Sequence, residues 1–189
     1  MVKHKVFISF HHGKDSEKEG GSLYRTAFEN HFGNIFSTIV TQSIHDGDID
    51  PDLPEKKIKE LICKHYIKDT KVTIVMIGPH TYGRKYVDWE ISASLRSHPD
   101  GYPSGILGII LPDHKDFLKE DVDHSLLPPR LADNLATGFA SLHHWTFDPS
   151  KMAEHINGAV QKRKTFYYDD SRPLLSHDLD TKERVDAKP

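Results

Sequence analysis

The sequence predicts an α/β protein, a doubly wound and mainly parallel five-stranded sheet with helices on both faces. Two observations predict it. Apolar, β-branched runs and helical stretches alternate through five rounds. The third run, Val72-Thr73-Ile74-Val75-Met76-Ile77, barely alternates, as expected of a parallel strand covered on both sides. Such a chain suits flavodoxin-like topology, whose ligand crevice lies at the carboxyl ends of the strands where their order reverses.

Val6-Phe7-Ile8-Ser9-Phe10 is the first strand, followed by a polar loop from His11 through Gly20-Gly21. Tyr24, Ala27, Phe28, His31 and Phe32 recur at helical spacing and place a helix over residues 22–31. Residues 35–40 form a second strand, and the acidic, Pro-bearing stretch 41–54 is a loop. Pro54, a favoured first-turn residue, opens a helix carrying Ile58, Leu61, Ile62 and His65 inward. The third strand spans residues 70–77, and a helix runs from Lys85 onward. Ile106 to Leu111 is the fourth strand. Residues 113–138 form a long irregular connection with short helical turns around Pro128-Pro129. Residues 141–147 are a fifth, more polar strand and hence an edge. Ser150 caps a last helix bearing Met152, Ile156, Ala159 and Val160. Beyond Phe166 the chain turns polar, so residues 1–166 form one domain and 167–189 a C-terminal extension.

The 189 residues suit one compact domain, and 37% hydrophobic content supplies one core. The net charge is −3, with no basic stripe carrying interleaved aromatics, which argues against nucleic-acid binding. No run reaches membrane-spanning length, the start is too soon interrupted for a signal peptide, and a cytoplasmic location is expected. Cys63, the one cysteine, rules out an intramolecular disulfide and is expected at a boundary position. Fourteen histidines form no zinc pattern, so no metal site is expected. The acidic loop Asp46-Gly47-Asp48-Ile49-Asp50-Pro51-Asp52 lacks EF-hand spacing and reads as turn and capping residues.

Glu90 is the residue that points to function. Val87, Ile91 and Leu95 mark the inward stripe of its helix, and Glu90 and Ser94 fill the same stripe. An inward carboxylate costs several kcal/mol unless it is paired or meets a cleft. Either it has a structural partner or the chain uses it. The fold favours use, because this helix springs from the loop after the third strand, beside the expected crevice. Ser9, Phe10 and His11 lie at the same rim. Phe10 is expected to offer a ring to a base, and His11 or His12 either meets a ligand or sits in solvent. Arg84, with Gly83 and Lys85, is placed to face anionic groups at a helix N-terminus. There is no Gly-x-Gly-x-x-Gly and no Walker loop.

Three stretches carry a family resemblance. They are Lys5-Val6-Phe7-Ile8-Ser9-Phe10-His11, Asp69 through Gly78, and Thr81 through Arg84-Lys85-Tyr86-Val87-Asp88-Trp89-Glu90-Ile91. Together they resemble the TIR-like domain of prokaryotic Thoeris ThsB proteins, over about residues 2–111. The resemblance implies a flavodoxin-like fold and cleavage of NAD+ as substrate, without a further cofactor. It implies conversion of NAD+ to nicotinamide and a cyclic ADP-ribose-type signal. That diffusible nucleotide would activate a separate effector, after a phage-derived trigger. It assigns Glu90 as the catalytic carboxylate and Ser9, Phe10 and His11 as the substrate rim. The loop 41–54 corresponds to a loop that often mediates self-association, but its sequence departs from classical TIR domains. A non-catalytic interaction module is the alternative. A phospho-receiver relative would need paired acidic residues after the first strand, where Ser9-Phe10-His11 stands instead.

Overall fold

The computed structural model describes residues 4–11, 20–33, 38–40, 44, 47–96, 98 and 100–179. Five strands form one sheet: β1 (Lys5–Ser9), β2 (Thr38–Val40), β3 (Val72–Ile77), β4 (Gly105–Ile110) and β5 (Ser141–His144). Their order is β2-β1-β3-β4-β5 and every pairing is parallel. This is the flavodoxin-like order, with the reversal between β1 and β3. The central strands β3 and β4 are buried at every position, which accounts for their continuous apolar character.

The helices are α1 (Gly20–Phe32), α2 (Glu55–Ile62), α3 (Lys85–Ser94), α4 (Pro129–Ala136) and α5 (Pro149–Thr165). Phe28 and Phe32 of α1 and Met152, Ile156 and Ala159 of α5 cover one sheet face, against Val6, Ile8, Ile74 and Leu107. The other face packs Val87 and Ile91 of α3 and Leu131 of α4 on Val75, Ile77 and Ile110. Beside it, Ile58 and Ile62 of α2 meet Phe7, Trp89 and Ala93. α5 lies so close to β4 that a Cβ at Gly105 would strike the Ala159 carbonyl.

Three expectations need correction. His65 is exposed, because α2 continues as a π-helical turn, Cys63–Ile67. The wider turn moves the inward stripe, and Ile67 is buried instead. The connection after β4 holds not only a 3-10 turn, His124–Leu126, but also the eight-residue helix α4. Pro129 at its first turn pre-sets the helical φ, so the proline pair starts this helix rather than preventing it. The last helix is capped by Asp148, not Ser150; its carboxylate accepts from the Ser150 and Lys151 N–H groups at 2.8 and 3.3 Å. Cys63 is half-buried, at a boundary as expected. Of the second strand and the loop after it, residues 35–37, 41–43 and 45–46 lie outside the described residues, as do residues 12–19 of the loop after β1.

Residues 167–179 have no regular element but fold back on the domain. The anchor is Arg130 of α4, fully buried, which donates to both Asp88 oxygens at 2.9 and 3.3 Å and to Asp170 at 2.6 Å. A buried guanidinium without such partners would cost about 3–5 kcal/mol. Asp170 also meets Lys59 at 2.8 Å and Ser92 at 2.7 Å. Arg172 forks onto Asp133, and the Trp89 indole donates to the Leu175 carbonyl at 2.8 Å. No described helix is long and apolar enough to cross a membrane.

Four half-buried or buried histidines hold their protons weakly in this fold. Burial pushes His143 down to about 4, helped by the His155 ring stacked on it at 3.7 Å. Burial likewise lowers His98, His114 and His155. The unfolded chain binds these protons near pH 6.5 and the folded chain only at lower pH. Stability is therefore fully present above pH 6.5 and falls as the pH drops toward 4. Thermal unfolding from pH 7.5 to 4.5 should show Tm declining across that window, with a shallower slope for His143→Phe; an equal slope would exclude His143 as a contributor.

Candidate active site

β1 ends at Ser9, beside β3 and at the reversal of strand order. α3 leaves the loop after β3, and Glu90 in its second turn points back at the end of β1. The Ser9 hydroxyl donates to Glu90 Oε2 at 2.5 Å. The Ile44 N–H, from the loop between β2 and α2, donates to Glu90 Oε1 at 3.0 Å. Glu90 is 1% exposed. Its own turn is fixed from behind: Ser94 Oγ donates to the Glu90 carbonyl at 2.7 Å and pairs with Thr73 Oγ1 of β3 at 2.7 Å. Charge-assisted bonds of this kind hold a carboxylate in one orientation.

Tyr66, in the π-helical turn after α2, stands within the field of this group. Its hydroxyl donates to Asp48 at 3.1 Å. Burial raises its pKa first, followed by the Asp48 bond and the charges of Asp48 and Glu90. Asp48 belongs to the acidic loop read as turn-forming. That reading describes Asp50, which accepts from the Asp52 N–H at 2.9 Å, whereas exposed Asp48 accepts from Tyr66. No group of three His, Cys, Asp or Glu among the described residues is arranged to hold a metal.

The remaining rim residues are placed unequally. His11 is half-buried at the strand end, and His12 lies outside the described residues. Phe10 turns to the opposite face of the sheet and is 2% exposed in the α1 core, with the Arg25 guanidinium 5.6 Å from its ring centroid. The expectation that this ring is open to a base is thus corrected; strand alternation sends Ser9 and Phe10 to different faces. Arg25 Nε is buried and has no hydrogen-bond partner among the described residues. Arg84 donates to the His80 carbonyl at 2.9 Å and pairs with Asp178 at 3.0 Å. Trp89 is buried and serves packing.

Sequence reasoning missed Tyr66 and Arg25. The π-helical turn that aims Tyr66 has no periodic signal, and the Arg25–Phe10 contact joins two elements. The arrangement offers one oriented carboxylate at the switch point, cations on the flanking elements, and a loop amide seated on the carboxylate. A hollow of about 190 Å³ at the edge strand, lined by Glu120, His124, His143 and His144 among others, does not include Glu90. Ser9→Ala would leave a buried carboxylate oxygen short of a donor, at a cost of about 1–3 kcal/mol. Denaturant unfolding should show that loss; a variant as stable as wild type would mean the bond contributes nothing.

A family model described as "Thoeris protein ThsB, TIR-like domain" matches residues 7–116. That span runs from the middle of β1 past the end of β4 and contains Ser9, Tyr66, Arg84 and Glu90. No curated protein matches the chain significantly.

Proposed function

The chain belongs to the Thoeris ThsB TIR-like domain family, and we propose that this defence-related module cleaves NAD+. The products would be nicotinamide and a cyclic ADP-ribose-type signal that activates an effector. The observation that carries the reading is a single oriented carboxylate, Glu90, at the crevice where this topology places its ligands.

The chemistry asks little more. As the bond between the ribose anomeric carbon and the nicotinamide nitrogen breaks, its electron pair goes to the pyridine ring. Nicotinamide then leaves neutral, and no strong general acid is needed. Positive charge develops on the ribose, as in glycoside cleavage. A carboxylate held by Ser9 can face that charge and accept from ribose hydroxyls without reorienting. Arg84, at the start of the Glu90 helix, is the cation proposed to meet the diphosphate once its pairing with Asp178 is released. A nucleophilic atom of the same ADP-ribose unit then bonds to the anomeric carbon and gives up its proton; excluding water favours this over hydrolysis. For substrate to reach Glu90, the Ile44 amide must give way to the sugar. A phage-derived trigger, self-association through the loop after β2 and a cytoplasmic setting belong to the same proposal.

One observation favours the alternative, a non-catalytic interaction module. Both Glu90 oxygens already accept bonds from the protein itself, so the residue can serve as a strut between β1, α3 and the loop. Glu90→Gln decides between them, because its amide oxygen can accept from the Ile44 N–H and its NH2 can donate to the Ser9 hydroxyl oxygen, but it carries no charge. Nucleotides would be profiled by mass spectrometry in cells making wild type or the variant, with and without phage. The enzyme reading expects a new ADP-ribose species only in infected wild-type cells, and at least about a 100-fold loss in the variant. Unchanged NAD+ and no new species across a phage panel, with expression confirmed, would favour the module.

A further inference from the structure

Residues 169–179 cross the outer side of α3 as a strap whose two parts are held very differently. The root, 169–175, is clamped. Asp170 meets buried Arg130, Lys59 and Ser92. Asn134 exchanges two bonds with the Asp169 backbone, at 2.7 and 2.9 Å. The Leu175 N–H reaches Asp88 at 3.0 Å. The tip, 176–179, is exposed at Ser176, His177 and Asp178. Asp178 and Leu179 join it to the start of α3. Asp178 accepts from the Lys85 N–H at 2.8 Å and from Arg84 Nη1 at 3.0 Å, and the Leu179 N–H donates to the Gly83 carbonyl at 2.8 Å. An exposed ion pair of this kind adds little, so the tip can lift while the root stays.

The place where the tip ends is what matters. Its carboxylate sits on the first turn of α3 and on Arg84, so the cationic end of the Glu90 helix is already occupied by an anion of the chain itself. Lys85 precedes Glu90 by five residues, or about 7.5 Å along the helix. That is on the scale of one sugar and its phosphate ester. A dinucleotide with its ribose at Glu90 would bring its diphosphate toward the same charges. Building on the NAD+ reading, we infer that residues 176–179 are an autoinhibitory tip: Asp178 competes with the substrate diphosphate for Arg84 and the start of α3, and the tip must lift before substrate binds.

Gly83 supplies a way to lift the tip without touching either charge. A Cβ there would lie 2.6 Å from the Leu179 Cβ and 2.7 Å from its carbonyl oxygen, so the tip must move. Gly83 is not among the glycines at positive φ, and its backbone accepts alanine. The experiment compares the full-length wild type, Gly83→Ala, Asp178→Asn, and Asp178→Asn combined with Arg84→Gln. Amide hydrogen exchange over residues 78–90 reads release of the tip, and calorimetric titration with ADP-ribose reads binding independently of turnover. Both single variants should exchange faster and bind ADP-ribose about three- to ten-fold more tightly, the gain set by the fraction of molecules with the tip seated. The added Arg84→Gln should cancel that gain. Faster exchange with wild-type affinity would overturn the inference, as would unchanged exchange in both single variants or no ADP-ribose binding by any of them. Nicotinamide release is measured for the same variants in phage-infected cells, where the proposed trigger is present. Tighter ADP-ribose binding without any release would sink the NAD+ reading and leave the tip standing.

Discussion

Helix α3 is buried from Val87 to Ser94 yet carries two carboxylates, and the rest of the structure answers that constraint. Asp88 and Glu90 are two positions apart and so face nearly opposite sides of the helix. Neither meets water, and a buried carboxylate without partners is not tolerated. Glu90 is satisfied from the sheet side by Ser9 and from a loop by Ile44. Asp88 is satisfied from outside by Arg130, which is itself buried and in turn draws in Asp170 and the Pro173 carbonyl. The C-terminal extension is therefore part of the charge balance of the domain.

This arrangement has a consequence for chemistry. A carboxylate that is to face a developing cation works best when its orientation is already set. Here orientation comes from three directions: the end of β1, the Ser94–Thr73 tie to β3, and the Arg130 cluster behind the helix. The same firmness keeps Glu90 closed. The loop amide of Ile44 and the carboxylate of Asp178 both sit on α3, one on Glu90 and one at the start of the helix.

Much of this was legible in the residues. The buried character of β3 and β4, the α1 and α5 stripes and the inward position of Glu90 follow from local periodicity, because each pattern lies within one element. Ser9 was legible as a rim residue, since the strand order predicts where β1 ends. What was missed shares a cause. His65 was misplaced because one extra residue per turn in Cys63–Ile67 shifts the face without altering composition. Phe10 lies at a strand end, where the sequence favours an open ring, and only the packing of α1 closes it. Arg130 would be placed outward by any rule that puts charges in solvent.

Local patterning is enough for the fold class, the reversal between β1 and β3, and the presence of an inward carboxylate that needs a partner. These depend on spacing over a few residues and on the cost of burying charge. Which groups answer that carboxylate, and what occupies the cationic end of its helix, follow from the three-dimensional packing. Ser9 and Glu90 are 81 residues apart, Ile44 and Glu90 46, and Arg84 and Asp178 94. Such partners are chosen by how helices and strands pack in space, and no local pattern encodes them.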